Sequence, residues 1–193
     1  MTVDDFSAIE AALKRSAAAL EAAGIPFLLG GSLASWARGG PETRHDLDLV
    51  IKPGDCERAT EALREEGMRI EQPPEQWLVK AWDGDVLIDV IHAPKGREIT
   101  DEVIERGAEL AVLSMDMRVM ALEDVFTTKL MALSEHALRF QGLLQMARAL
   151  REQVDWDQVR RATAESPFAR AFFVMVEGLG VVGQEGSTPT TAG

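Results

Sequence analysis

At 193 residues the chain has room for one large domain, or for a core domain with a small second lobe. A formal net charge of −12 argues against a non-specific nucleic-acid coat, and one cysteine, Cys56, excludes an internal disulfide framework and suits a reducing cytoplasm. No apolar run approaches the roughly 20 residues that span a bilayer, and Cys56 and the three histidines show no zinc-ligand spacing.

The N-terminus, MTVDDFSAIEAALKR, is acidic and amphipathic, unlike a signal peptide. Residues 5–23 read as a helix with Phe6, Ile9, Leu13, Ala17 and Leu20 on one face and Gly24 as the stop. IPFLLG (25–30) reads as a buried strand, and SLASWARG (32–39) as a short helix with Ser32 as its N-cap. HDLDLVI (45–51) is a strand ending before Pro53, and residues 54–67 form a helix capped by Asp55. EQWLVKAWDGDVLIDVIHAP (75–94) predicts a hairpin turning at Asp83-Gly84-Asp85, and residues 107–120 add a strand or a second hairpin.

The texture changes after Met120, where helical patterns follow one another with little strand signal. The expected organisation is an α/β lobe over 1–120, a helical lobe over 121–180 and a disordered tail over 181–193. Between Lys129 and Arg170, seven Lys/Arg stand against five Asp/Glu. This local excess suits either a polyanion held by the helical lobe or simply solvated helix faces.

The chemistry-bearing stretch is GGSLASWARGGPETRHDLDLVI, residues 30–51. On a strand, positions i and i+2 share a face, so Asp46 and Asp48 project together while Leu47, Leu49 and Ile51 face the other way. Two carboxylates side by side repel, and a divalent cation relieves that repulsion; magnesium prefers few carboxylates plus water and phosphate oxygens. A third acid, Asp89, stands in the apolar run DVLIDVIHA, where it needs a cationic partner or a metal. If its strand lies beside 45–51, the three acids converge, suit two metal ions, and leave Asp89 able to help deprotonate an attacking hydroxyl. Gly30 and Gly31 permit a sharp turn and close approach to a ligand, and Ser32 opens a helix whose first amides can hold phosphate.

The Gly-Ser turn followed by Asp-x-Asp, with Asp89 as third acid, resembles the polymerase-β-type nucleotidyltransferase superfamily. The Arg44-x-x-x-Asp48 spacing is similar to that of AbiEii/MenT-type toxin nucleotidyltransferases, as is the K-L-x-A-L setting of Lys129-Leu130-Met131-Ala132-Leu133. The resemblance covers roughly residues 25–150 and implies an α/β (α+β) nucleotidyltransferase fold with a mixed sheet, followed by a C-terminal helical lobe. It implies an enzyme that moves a nucleoside monophosphate from an NTP to an acceptor with Mg2+. Asp46, Asp48 and Asp89 would be the catalytic and metal-binding acids. Gly30, Gly31, Ser32, Arg44 and Lys129 would hold the nucleotide, although Lys129 and Arg44 read equally as ordinary surface cations. It further implies an acceptor such as the 3′ end of tRNA and an antitoxin partner; a small-molecule or protein acceptor, or a non-catalytic nucleotide-binding role, are the alternatives. Relatives often carry an aspartate soon after the lysine. Here the first is Asp155, followed by Asp157; either one replaces it or that function is missing.

Overall fold

The computed structural model describes residues 3–41 and 46–183, with only the backbone of residues 3–6, which include the expected core residue Phe6, and of Asp46 and Gly96. Helix α1 (Val3–Ala22) buries Ile9, Leu13, Ala17 and Leu20 at helical spacing and stops at Gly24, whose φ of +63° favours a residue without a Cβ. Strand β1 (Phe27–Leu29) leads into the short helix α2 (Gly31–Trp36), then β2 (Asp46–Ile51). A 3-10 turn at Pro53–Asp55 opens α3 (Cys56–Glu65), followed by β3 (Arg69–Glu71). The hairpin β4 (Leu78–Asp83) and β5 (Val86–Ile91) comes next, then α4 (Asp101–Glu105) and a second hairpin, β6 (Ala108–Val112) and β7 (Met115–Val119). Helices α5 (Leu122–Met131), α6 (Phe140–Leu150), α7 (Trp156–Ala162) and α8 (Pro167–Gly178) complete the described chain.

The seven strands form one mixed sheet in the order β3-β4-β5-β2-β1-β7-β6. β2 runs parallel to β5 and antiparallel to β1, and β1 runs parallel to β7. This is the expected mixed α/β fold, with β3 and α4 added to it. Both are short and polar, with no apolar period to announce them.

The alternation of β2 decides the placement of the acids. Leu47, Leu49 and Ile51 are fully buried on one face, and Ile88 and Val90 of β5 continue that layer, under α1 and α3. Each such side chain contributes about 1.5–3 kcal/mol of burial, enough to hold β2 in a register that turns Asp48 to the opposite face. α5 anchors the helical region through Phe126 and Leu130, both fully buried; the Phe126 ring meets Trp156 edge-on with centroids 4.8 Å apart. One continuous apolar cluster joins the sheet to these helices.

Three local expectations change. The N-cap of α2 is Gly30 rather than Ser32, and Asp55 precedes α3 without a capping side-chain hydrogen bond, its carboxylate pairing with Arg58 at 2.8 Å. Val181 and Val182, placed in the tail by composition, are buried, with the Val181 N–H bonded to the Val176 carbonyl at 2.8 Å. The rest of the expected tail, residues 184–193, lies outside the described residues.

Candidate active site

The register of the two central strands sets Asp48 directly opposite Asp89. Opposed residues project from the same face, so two acids 41 positions apart in sequence become neighbours. Both side chains are half-buried. Asp46 holds the first position of β2, opposite Leu87; its side chain lies outside the described residues, as do Arg44 and His45. Among the described residues no group of three His, Cys, Asp or Glu could hold a metal ion.

The double glycine fits against Asp48. The Gly30 N–H donates to the Asp48 carbonyl at 2.7 Å, and a Cβ on Gly30 would lie 2.8 Å from Val50 Cγ2. Gly31 has φ +59°, and a Cβ there would stand 1.5 Å from Asp48 Oδ2. The carboxylate thus occupies the space a side chain would take. The first intrahelical bond of α2 runs from the Ala34 N–H to the Gly30 carbonyl at 3.0 Å, so the amides of Gly31, Ser32 and Leu33 sit ahead of it in the first turn.

Lys129 comes to this turn from 97 residues away. Its ammonium donates to the Ser32 hydroxyl at 3.0 Å, tying α5 to α2. A cavity of ≈ 520 Å³ opens beside this contact, lined by Ser32, Ser35, Lys129, Arg139, Gln145 and Met146 among others. A smaller one of ≈ 150 Å³ also touches Lys129, bounded by Gly31, Asp48, Trp77, Lys95 and Met120. The larger falls within the range of about 300–1,000 Å³ typical of small-ligand pockets.

The fold also brings cations from outside the Gly-Ser and Asp-x-Asp motifs to the site. Lys80 of β4 is the register partner of Asp89, with Nζ 3.8 Å from Oδ1; it is the cationic partner that an acid in an apolar strand demands. Lys95 lines the smaller cavity with a left-handed backbone, φ +52°. Arg139 lines the larger one. Lys80 meets Asp89 only because the hairpin closes with two residues, pairing Asp83 with Val86; Lys95 and Arg139 carry no sequence signal.

Other candidates have local employment. Asp155 caps α7 by accepting from the Gln158 N–H at 2.9 Å, and Asp157 stands in the same first turn. Arg38 donates to the Val119 and Met120 carbonyls, each at 3.2 Å, and burial pulls its pKa below the usual arginine value. His92, on the strand end beyond Asp89, has its pKa lowered by burial. Trp82 donates to Glu71 at 3.2 Å beneath the Arg69 guanidinium, and Trp77 borders the smaller cavity.

Comparison with known proteins bears on the family and the fold. Residues 2–177 match a family described as uncharacterised nucleotidyltransferase. No curated protein matches the sequence. Among solved structures, the solution structure of antibiotic-resistance factor ANT(2″)-Ia superposes with a TM-score of 0.63 at 17% identity, covering 90% of this chain and 97% of that one. ANT(2″)-Ia in complex with adenylyl-2″-tobramycin gives a TM-score of 0.61 at 16% identity over 86% of this chain and 97% of that one. A putative nucleotidyltransferase from Thermotoga maritima gives 0.50 at 15% identity over 79% and 94%. At such identities the likeness establishes the fold, and the family match over most of the chain establishes the rest: this protein belongs to the uncharacterised-nucleotidyltransferase family and is a nucleotidyltransferase.

Proposed function

We propose that the protein transfers a nucleoside monophosphate from an NTP to the hydroxyl of a small acceptor, using Mg2+ held by Asp46, Asp48 and Asp89. The observation that carries this reading is the in-register pair Asp48–Asp89 against Gly31, with Lys129 bonded to Ser32 on the rim. The donor set is all carboxylate oxygen, which suits a hard cation. Magnesium would supply positive charge that lets the acids coexist and offsets charge on the phosphates.

The residues divide the remaining work. Gly30 shapes the turn, with its own N–H held by Asp48, Gly31 and Ser32 present first-turn amides to the triphosphate, and Lys129, joined by Arg44, neutralises it as charge moves to the leaving group. The acceptor oxygen bonds to the α-phosphorus and the bond to the bridging oxygen breaks, releasing pyrophosphate; Asp89 takes the hydroxyl proton. The available NTP pool and the lone Cys56 suit action in the cytoplasm.

A small acceptor is favoured over the 3′ end of tRNA for a specific reason. Three of the six arginines of the helical region, Arg151, Arg160 and Arg170, are engaged within it. Arg160 pairs with Glu177 at 2.5 Å and stacks 4.3 Å from the Phe173 ring, Arg151 pairs with Glu152 at 2.9 Å, and Arg170 donates to the Ala164 carbonyl at 2.8 Å. The fold also matches ANT(2″)-Ia, whose complex contains an adenylylated aminoglycoside. Incubation of the protein with labelled NTPs and, in parallel, a small-molecule extract, total RNA or cell protein tests this. Label in the small-molecule fraction supports it. Label on tRNA 3′ ends would instead support a toxin restrained by an antitoxin, label on protein would assign a side-chain acceptor, and NTP binding with no magnesium-dependent turnover would leave only nucleotide binding.

A further inference from the structure

The sheet places four residues in one row across four strands: Glu71 on β3, Lys80 on β4, Asp89 on β5 and Asp48 on β2. Opposed residues share a face, so the whole row lies on the side of the sheet that meets Gly31. The other face is sealed, with Val79, Ala81, Ile88 and Val90 each 5% exposed or less. On the β2 side of Asp89 the space is taken by Asp48 and Gly31. Toward β3 and β4 the same face carries Arg69, Glu71, Lys80 and Trp82, all exposed or half-buried. An acceptor hydroxyl that reaches Asp89 from that side arrives over Lys80.

Lys80 is placed to interact with that acceptor. Its distance of 3.8 Å to Asp89 is a charge contact, longer than the roughly 2.7–2.9 Å of a charge-assisted hydrogen bond. An ammonium has three donors to offer. Its other neighbour, Glu71, is engaged by the Trp82 indole at 3.2 Å and by Arg69 at 3.5 Å. We propose that Lys80 selects the acceptor by charge: the acceptor carries an anionic group, phosphate or carboxylate, beside the hydroxyl that receives the nucleotide, and polycations are disfavoured there. The proposal rests on the transfer reading above, and it separates this chain's acceptor from the aminoglycoside held by its structural neighbour. In the transfer step the anionic group stays unreacted on Lys80 while the neighbouring oxygen bonds to phosphorus, pyrophosphate leaves and Asp89 takes the proton.

The test is calorimetry on the full chain loaded with magnesium and a non-hydrolysable NTP analogue. A sugar phosphate, a hydroxycarboxylic acid, an uncharged sugar and a polycationic aminoglycoside are titrated into wild type, Lys80→Gln, Lys80→Arg and Lys80→Glu. In wild type at least one anionic compound should bind about tenfold more tightly than the uncharged sugar, as expected for one charge-assisted hydrogen bond. The phosphate and carboxylate arms tell the two sources of that chemistry apart. Lys80→Gln should erase the preference with NTP-analogue affinity unchanged, Lys80→Arg should retain it, and Lys80→Glu should turn it toward the aminoglycoside. Equal binding of anionic and uncharged compounds by wild type, tightest binding of the aminoglycoside, or a preference that survives Lys80→Gln overturns the proposal while the transfer reading stands. Failure of wild type to bind the NTP analogue overturns both.

Discussion

The Asp48 carboxylate occupies the position that a side chain on Gly31 would need, with Oδ2 1.5 Å from where a Cβ would stand. The glycine and the acid are therefore one unit. Gly31→Ala should remove transfer activity by forcing Asp48 away from Asp89, and should also cost stability through its φ of +59°. Gly24→Ala supplies the control: it has a similar φ of +63° but nothing within 4 Å of the added methyl. It should cost about 1 kcal/mol in denaturant melts and leave transfer kinetics as wild type. Equal loss of activity in both variants would show that backbone strain, not the contact with Asp48, was responsible.

Asp46→Ala and Asp48→Ala should each abolish transfer with little change in Tm, because removing one of several repelling acids costs no packing. Asp89→Asn should lower kcat far more than it weakens NTP binding, since its assigned work is on the acceptor oxygen. Kinetics and thermal melts on the same preparations check this. A normal kcat in Asp89→Asn removes that residue from the chemistry.

Lys129→Ala should weaken NTP binding by about 1–3 kcal/mol, the range for a lost charge-assisted hydrogen bond. Ser32→Ala should cost less, because only a neutral hydroxyl is lost. As the two side chains touch at 3.0 Å, a double-mutant cycle should report coupling. Additive effects would mean that Lys129 serves the nucleotide without help from Ser32.

The β6–β7 hairpin turns at Leu113 and Ser114, which both adopt positive φ, 48° and 66°. Two positive φ values in a two-residue loop mark the type I′ turn, which prefers Asn-Gly. Leu113→Asn combined with Ser114→Gly should raise stability by about 1 kcal/mol in urea unfolding, without altering transfer kinetics. A loss of stability would show that the Leu113 contact with the apolar core outweighs the relief of strain.

His92 gives a pH signature. Burial lowers its pKa in the folded protein below the ordinary value of 6.5. The unfolded chain then binds the proton more readily, so the contribution to stability is present above about pH 6.5 and is lost as pH falls through the folded pKa. His92→Gln should flatten the pH dependence of Tm in that mildly acidic window. An unchanged slope would assign it to other groups.

How much of this was legible beforehand follows from range. The Gly-Gly-Ser turn and the Asp-x-Asp pair are local: a strand's period of two and a glycine's freedom of φ act within a few residues, so the motif could be placed before any fold was known. The burial of Leu47, Leu49 and Ile51 is written in the same alternation. Asp89 was recognisable because an acid in the apolar run DVLIDVI is costly alone, but its neighbour was not. Centring the hairpin on a three-residue Asp83-Gly84-Asp85 turn would set Val79 opposite Asp89. The structure closes it with two residues, pairing Asp83 with Val86 and hence Lys80 with Asp89. A slip of one residue sends every side chain to the other face, so the charge beside the third acid was decided by a turn that composition leaves ambiguous. Contacts such as Lys129 with Ser32 depend on α5 docking through Phe126 and Leu130. Strand alternation and the freedom of glycine set the face of Asp48 and the shape of the turn within a few residues. Tertiary structure alone decided which distant side chains meet them, because apolar packing and strand register, acting across the whole sheet, set those distances.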